Sequence, residues 1–174
     1  EPGRGAGIAV TGRKGGLFMR FEITGKAAHS GANFEAGISA ISELAHKTLA
    51  LHALSDPKNG ITLNVGVVSG GQTVNTVAPW AKGEVDLRFI TFDQRKATME
   101  KVEAIMAKSF VPGTGTKLEI TGEFLPMVET GDNKTLFEQN GWEAPATLDE
   151  LSALAETVDA AGIMPFANSN AEWR

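Results

Sequence analysis

Three side chains stand where this sequence could present them for acid-base or anion chemistry. His29 lies in Gly25-Lys26-Ala27-Ala28-His29-Ser30-Gly31, where glycines on both sides give the backbone freedom to expose an imidazole. The plain alternative is a surface histidine. Asn75 falls in a long polar segment, Ser69 to Pro79, and Arg88 alternates with apolar neighbours. Both have the donor chemistry to fix a carboxylate, although Arg88 equally fits a cross-strand pair with Glu or Asp. His46 and His52 are six residues apart, which does not put them on one helical face, and no carboxylate pair joins them at ligand spacing. They read as surface residues. No Ser-His-Asp arrangement has meaningful spacing, and Gly12-Arg13-Lys14-Gly15-Gly16 and Gly70-Gly71 lack the setting and the trailing Lys-Ser/Thr of a phosphate loop.

The elements that must position these residues follow from periodicity. Leu17, Met19, Phe21 and Ile23 alternate with Phe18, Arg20, Glu22 and Thr24, which predicts a strand over 16–24. Ile38, Ile41, Leu44, Ala45, Thr48 and Leu51 recur at helical spacing and predict a helix over about 34–54. After the turn residues Asp56-Pro57-Lys58-Asn59-Gly60, Ile61, Leu63, Val65 and Val67 alternate with Thr62, Asn64, Gly66 and Val68 as a second strand. A third, 81–90, turns Val85, Leu87 and Phe89 inward and Glu84, Asp86 and Arg88 outward. Thr91 and Gln94 have capping-box spacing, and Met99, Val102, Met106 and Phe110 then predict a helical stripe. A fourth strand is predicted around Leu118 and Ile120.

The order β-α-β-β-α-β predicts an α+β, ferredoxin-like two-layer sandwich: a four-stranded antiparallel sheet with two helices on one face. Right-handed crossovers put the second and fourth strands at the edges. The second-strand edge is apolar and carries no Pro, Lys or Glu, so left open it is an aggregation template. Pairing with the same edge of a second copy would satisfy it, and a homodimer through this edge and the first helix is the expectation. A different strand order, with the second strand central, is the alternative.

Composition narrows the function classes. The chain has 174 residues, of which 42% are apolar and 21% charged, enough for one core without staples. Having no cysteine excludes thiolate metal sites and cysteine nucleophiles. A net charge of −5 and no tyrosine argue against a nucleic-acid partner. No apolar run approaches the roughly 20 residues that cross a bilayer, so no membrane partner is expected. The expectation is a soluble protein of bacterial-like cytoplasm or periplasm, with the compartment unassigned. The start at Glu1-Pro2-Gly3 without Met, and the end at Trp173-Arg174, read as an internal piece of something longer.

Several segments then coincide: Glu1-Pro2-Gly3, Val10-Thr11-Gly12-Arg13-Lys14-Gly15, Ile23-Thr24-Gly25-Lys26-Ala27-Ala28-His29-Ser30-Gly31, Val74-Asn75-Thr76-Val77-Ala78-Pro79 and Asp86-Leu87-Arg88. Over about residues 1–130 the chain resembles the dimerisation (lid) domain of the zinc-dependent exopeptidases typified by carboxypeptidase G (glutamate carboxypeptidase), succinyl-diaminopimelate desuccinylase and aminoacylase. The resemblance implies a β-α-β-β-α-β lid that dimerises and is inserted in a two-zinc catalytic domain. It implies that His29 reaches across the dimer to stabilise the oxyanion of a tetrahedral intermediate, and that Asn75 and Arg88 hold the substrate's free carboxylate. It aligns Glu1 with a zinc-ligating carboxylate. The sequence has no His-x-Asp motif and no paired Glu-Glu for a general base, so no zinc is expected on this chain and the polypeptide alone is expected to hydrolyse nothing. The parent enzyme would cleave an amide next to a free carboxylate, of the glutamate type.

The domain expectation is a catalytic-domain junction over 1–15, the lid over 16–130, and a helical tail of different origin over 131–174. From Thr135 onward there are seven acidic side chains and one basic, Arg174. Thr147-Leu148-Asp149-Glu150 has capping-box spacing, Leu148, Leu151, Ala155 and Val158 form a stripe, and Gly162 stands where a helix ends. Residues 133–173 resemble an internal piece of a bacterial extracellular sugar-binding protein, which points to a chimera; a diverged relative with a decayed catalytic half is the alternative. The other functional reading is a stand-alone ferredoxin-like module that binds a small ligand or associates.

Overall fold

The computed structural model describes residues 12–128, 138–143 and 145–162. Strand β1, Gly15–Thr24, leads through a long loop to helix α1, Ala40–His52. Strands β2, Thr62–Gly70, and β3, Trp80–Phe89, follow, then helix α2, Phe92–Ala107, and strand β4, Gly115–Phe124. The sheet order is β2-β3-β1-β4, antiparallel throughout, which makes β2 and β4 the edges as the crossover rule requires. A further helix, α3, Leu148–Ala160, belongs to a second compact unit; the sandwich is the unit Gly12–Val128.

The inward faces are those the alternation predicts for β1 and β3. Leu17, Met19, Phe21 and Ile23 are buried with Val85, Leu87 and Phe89 against Leu44 and Leu51 of α1 and Met99, Val102 and Met106 of α2. Each fully buried Leu or Phe contributes about 1.5–3 kcal/mol. Thr91 and Gln94 form the expected capping box on α2.

Four elements differ from expectation. Helix α1 begins at Ala40 rather than Phe34, because Ile38 is held extended by two backbone bonds to Lys26, at 2.9 Å each, and Ser39 then caps the helix by accepting from Ser42 N. Its buried face is also rotated: Glu43 and Lys47 are inside with Leu44 and Leu51, while Ile41 and Ala45 are exposed. In β2 a bulge takes up Gly66, so Val65 opposes Val85 but Val67 opposes Glu84, and both Val67 and Val68 are exposed. One extra residue inverts the alternation beyond it. Phe110 lies past the end of α2 and stacks on His46, ring centroids 5.5 Å apart. Strand β4 is longer than predicted, with its own bulge where β1 shifts register between Phe18 and Met19.

In α3, Thr147 accepts from Glu150 N at 3.2 Å, but Glu150 reaches back to Ala146 N rather than to the cap residue. Val158 is buried, Leu148 is exposed, and Gly162 takes φ +77° at the helix end.

Candidate functional site

The three sequence-predicted residues separate into two places. Strand β1 ends and β3 begins at the same end of the sheet, since Thr24 pairs with Trp80, and β2 ends there too with Gly70 opposite Ala81. The loops 25–39 and 71–79 therefore leave from one end of the sheet and bond to each other. Gly25 N donates to Pro79 O at 2.7 Å, Val77 N to Ala28 O at 2.9 Å, Ser30 N to Asn75 O at 2.9 Å, and Ala40 N to Ala78 O at 2.9 Å. This lacing brings His29 and Asn75 onto adjacent strands of loop. Gly25 is required for it, because a Cβ there would stand 2.2 Å from Ile38 O, a backbone atom that cannot turn aside.

His29 is exposed, and its Nδ1 accepts from Gly31 N and Ala32 N, both at 3.1 Å. Asn75 is exposed as well, with its Oδ1 accepting from Thr73 Oγ1 at 2.9 Å, while Thr73 and Thr76 share a 2.8 Å hydroxyl contact. The acceptor atom of each side chain is thus engaged within its own loop. The carboxamide nitrogen of Asn75 retains its donor capacity. The Thr73, Thr76 and backbone partners were not singled out from sequence, although Thr-x-Asn-Thr is turn-forming composition in which hydroxyls bond locally.

Arg88 sits at the opposite end of β3, opposite Thr62 and Gly16, about 23 Å along the strand from Ala81. It lies on the helix-free sheet face. Its Nε bonds Asp86 Oδ2 at 3.0 Å, and its guanidinium lies over the rings of Phe18 and Phe124, 5.4 and 4.9 Å from their centroids. The partner is two residues along its own strand, not across the ladder. Within one chain Arg88 therefore does not join His29 and Asn75.

His46 and His52 are exposed, as expected; His46 packs on Phe110, and His52 Nε2 accepts from Val65 N at 3.3 Å. Among the described residues no three His, Cys, Asp or Glu side chains converge as a metal site, so these residues do not fit zinc. Glu1 lies outside the described residues. No helix among them is long and apolar enough to cross a membrane.

Comparison with known families matches residues 11–114 to the peptidase dimerisation domain. The chain belongs to that family. Among the relatives of this dimerisation domain are hydrolases: it is 26% identical to carboxypeptidase G2 of a Pseudomonas species over 110 residues, 63% of this chain and 26% of that protein. It is 33% identical to indole-3-acetyl-aspartic acid hydrolase of Enterobacter agglomerans over 102 residues, 58% of this chain and 23% of that protein. The crystal structure of aminobenzoyl-glutamate utilization protein from Klebsiella pneumoniae superposes with a TM-score of 0.66 at 23% identity, covering 93% of this chain and 46% of that one, a likeness of fold. The chain thus spans about a quarter of the length of the curated relatives it matches.

Proposed function

We propose that this dimerisation domain is the lid of a zinc-dependent, carboxypeptidase-like amidohydrolase that cleaves an amide next to a free carboxylate, and that two copies join β2 to β2 to build its sites. The lid corresponds to 16–130, between a junction at 1–15 and a tail of separate origin at 131–174. The zinc ions belong to a catalytic domain that this chain does not supply, and alone it hydrolyses nothing.

The observation that carries the reading is the open edge of β2, bonded on one side only to β3, beside the two valines 67 and 68, which are 54% and 56% exposed. On α1, in the helix layer, Ile41 and Leu49 are 45% and 72% exposed. An edge of this kind is satisfied by a second copy lying antiparallel about a two-fold axis normal to the sheet. That operation turns the sheet end for end. The partner copy's loops, with its copies of His29 and Asn75, then come to the end of the continuous sheet that carries Arg88 of the first. That placement supports a reading in which Arg88 and Asn75 hold the carboxylate and His29 faces the oxyanion; removing one oxyanion donor typically costs about 10²–10³ in kcat.

Light scattering on the full chain tests the assembly. The mass expected is that of a dimer, and a monomer at tens of micromolar overturns the edge-pairing reading. The lid role of His29 is tested by adding the chain to the missing catalytic domain with a glutamyl amide as substrate. An unchanged kcat in His29→Ala removes that role.

A further inference from the structure

We infer that the backbone N–H groups of Gly31 and Ala32 are positioning groups that set the tautomer of His29, so that its neutral imidazole carries the proton on Nε2. This deepens the lid reading above, and rests on it for its catalytic meaning. The chain turns back immediately after His29: Asn33 N donates to His29 O at 3.0 Å, and within that turn the amides of Gly31 and Ala32 meet the ring. Nδ1 receives both at 3.1 Å. An atom accepting two N–H bonds has no place for a hydrogen of its own, so Nδ1 is unprotonated and Nε2 is a donor. Ser30 N is itself bonded to Asn75 O at 2.9 Å, which ties the loop to the 71–79 segment.

The consequence is a restricted repertoire for His29. In this tautomer Nε2 has no lone pair with which to take a proton, and Nδ1 faces the loop rather than a ligand. His29 is then a preset hydrogen-bond donor, suited to a developing oxyanion and unsuited to act as a general base or a metal ligand. Donors already aligned need no reorganisation when charge appears. The same chain holds its own contrast: His52 accepts at Nε2 from Val65 N at 3.3 Å, so its proton belongs on Nδ1.

Long-range proton-nitrogen correlation spectra of the full chain at pH 8.5, where an ordinary imidazole is neutral, read the tautomer of each histidine directly. His29 is expected as a pure Nε2–H form and His52 as Nδ1–H. Ala32→Pro deletes one of the two amides, and is expected to move the His29 nitrogens toward the averaged values of a free imidazole. Should that variant misfold, the scalar coupling across the hydrogen bond between Nδ1 and the Gly31 or Ala32 amide nitrogen is measured in the unaltered chain. Averaged nitrogens in the unaltered chain, a proton on Nδ1, or no coupling to either amide overturns the inference. A fixed Nε2–H form together with an unchanged kcat in His29→Ala would instead leave the tautomer standing and remove the lid role.

Discussion

Glu43 and Lys47 are fully buried on the inner face of α1, one turn apart, with Nζ 3.1 Å from Oε1. Lys47 Nζ also donates to the carbonyls of Ile105, Met106 and Lys108, and Glu43 Oε2 accepts from Val111 N at 2.6 Å. A cation at the carbonyl end of α2 meets the negative pole of that helix and satisfies groups with no intrahelical partner. Lys47→Ala strands a buried carboxylate and is expected to cost about 3–5 kcal/mol in chemical denaturation. The pair Glu43→Leu with Lys47→Met is expected to cost less, since no charge is left alone, although the α2 carbonyls still lose their donor. Burial acts to raise the Glu43 pKa, but the bonds from Val111 and Lys47 prevail and hold it below its ordinary 4.5. A depressed carboxylate stabilises the fold above the unfolded pKa and ceases to as pH falls through the folded one. Stability should therefore fall on acidification below about pH 4.5, and Glu43→Gln should flatten that limb. None of this was legible in the sequence. Apolar periodicity assigns charged residues to solvent, and the partners that reverse the assignment lie some sixty positions further on.

Elements were legible where packing and propensity agree. The faces of β1 and β3 follow from alternation because both strands are central and carry a helix layer on one side. Edge strands are less constrained, and there the reading failed at single residues: Gly66 in β2 is absorbed as a bulge that no periodicity signals. The start of α1 was misread for a related reason. Apolar spacing counts Ile38 into the helix, but Ile38 is claimed by the His29 loop through Lys26, a tertiary pairing that outweighs local pattern. The candidate site was half legible: the types of His29 and Asn75 marked them, whereas the lacing of their loops required the strand register. At the β2 edge the bulge leaves Val67 and Val68 exposed, and the prediction belongs to the strand. Replacing both with lysine should block edge pairing, as charged edge side chains do in natural sheets. Light scattering should then fall from dimer to monomer mass while far-ultraviolet circular dichroism stays unchanged, because neither valine joins the buried core. Retention of the dimer would move the interface elsewhere.

At the scale of the assembly, two facts about one chain constrain how two chains must share work. His29 and Asn75 leave the sheet at the end where β3 begins, and Arg88 stands near the end where β3 finishes. A rotation about an axis normal to the sheet exchanges those ends, so in the proposed dimer each site combines Arg88 from one copy with His29 and Asn75 from the other. Mixing variants tests this division. In a full-length hydrolase carrying this domain, His29→Ala and Arg88→Ala homodimers are each deficient at both sites. In a mixed dimer one site receives both defects, while the other receives wild-type Arg88 from the His29→Ala copy and wild-type His29 from the Arg88→Ala copy. Equal mixing with random exchange makes half the dimers mixed, with one intact site apiece, so about a quarter of the wild-type rate should return. If both residues served a site within one copy, every site in the mixed dimer would still lack one of them and no activity would return. With two loops at one end of the sheet and an arginine at the other, the proposed two-fold pairing requires each copy to complete the other's site, and the recovered quarter is the measure of that exchange.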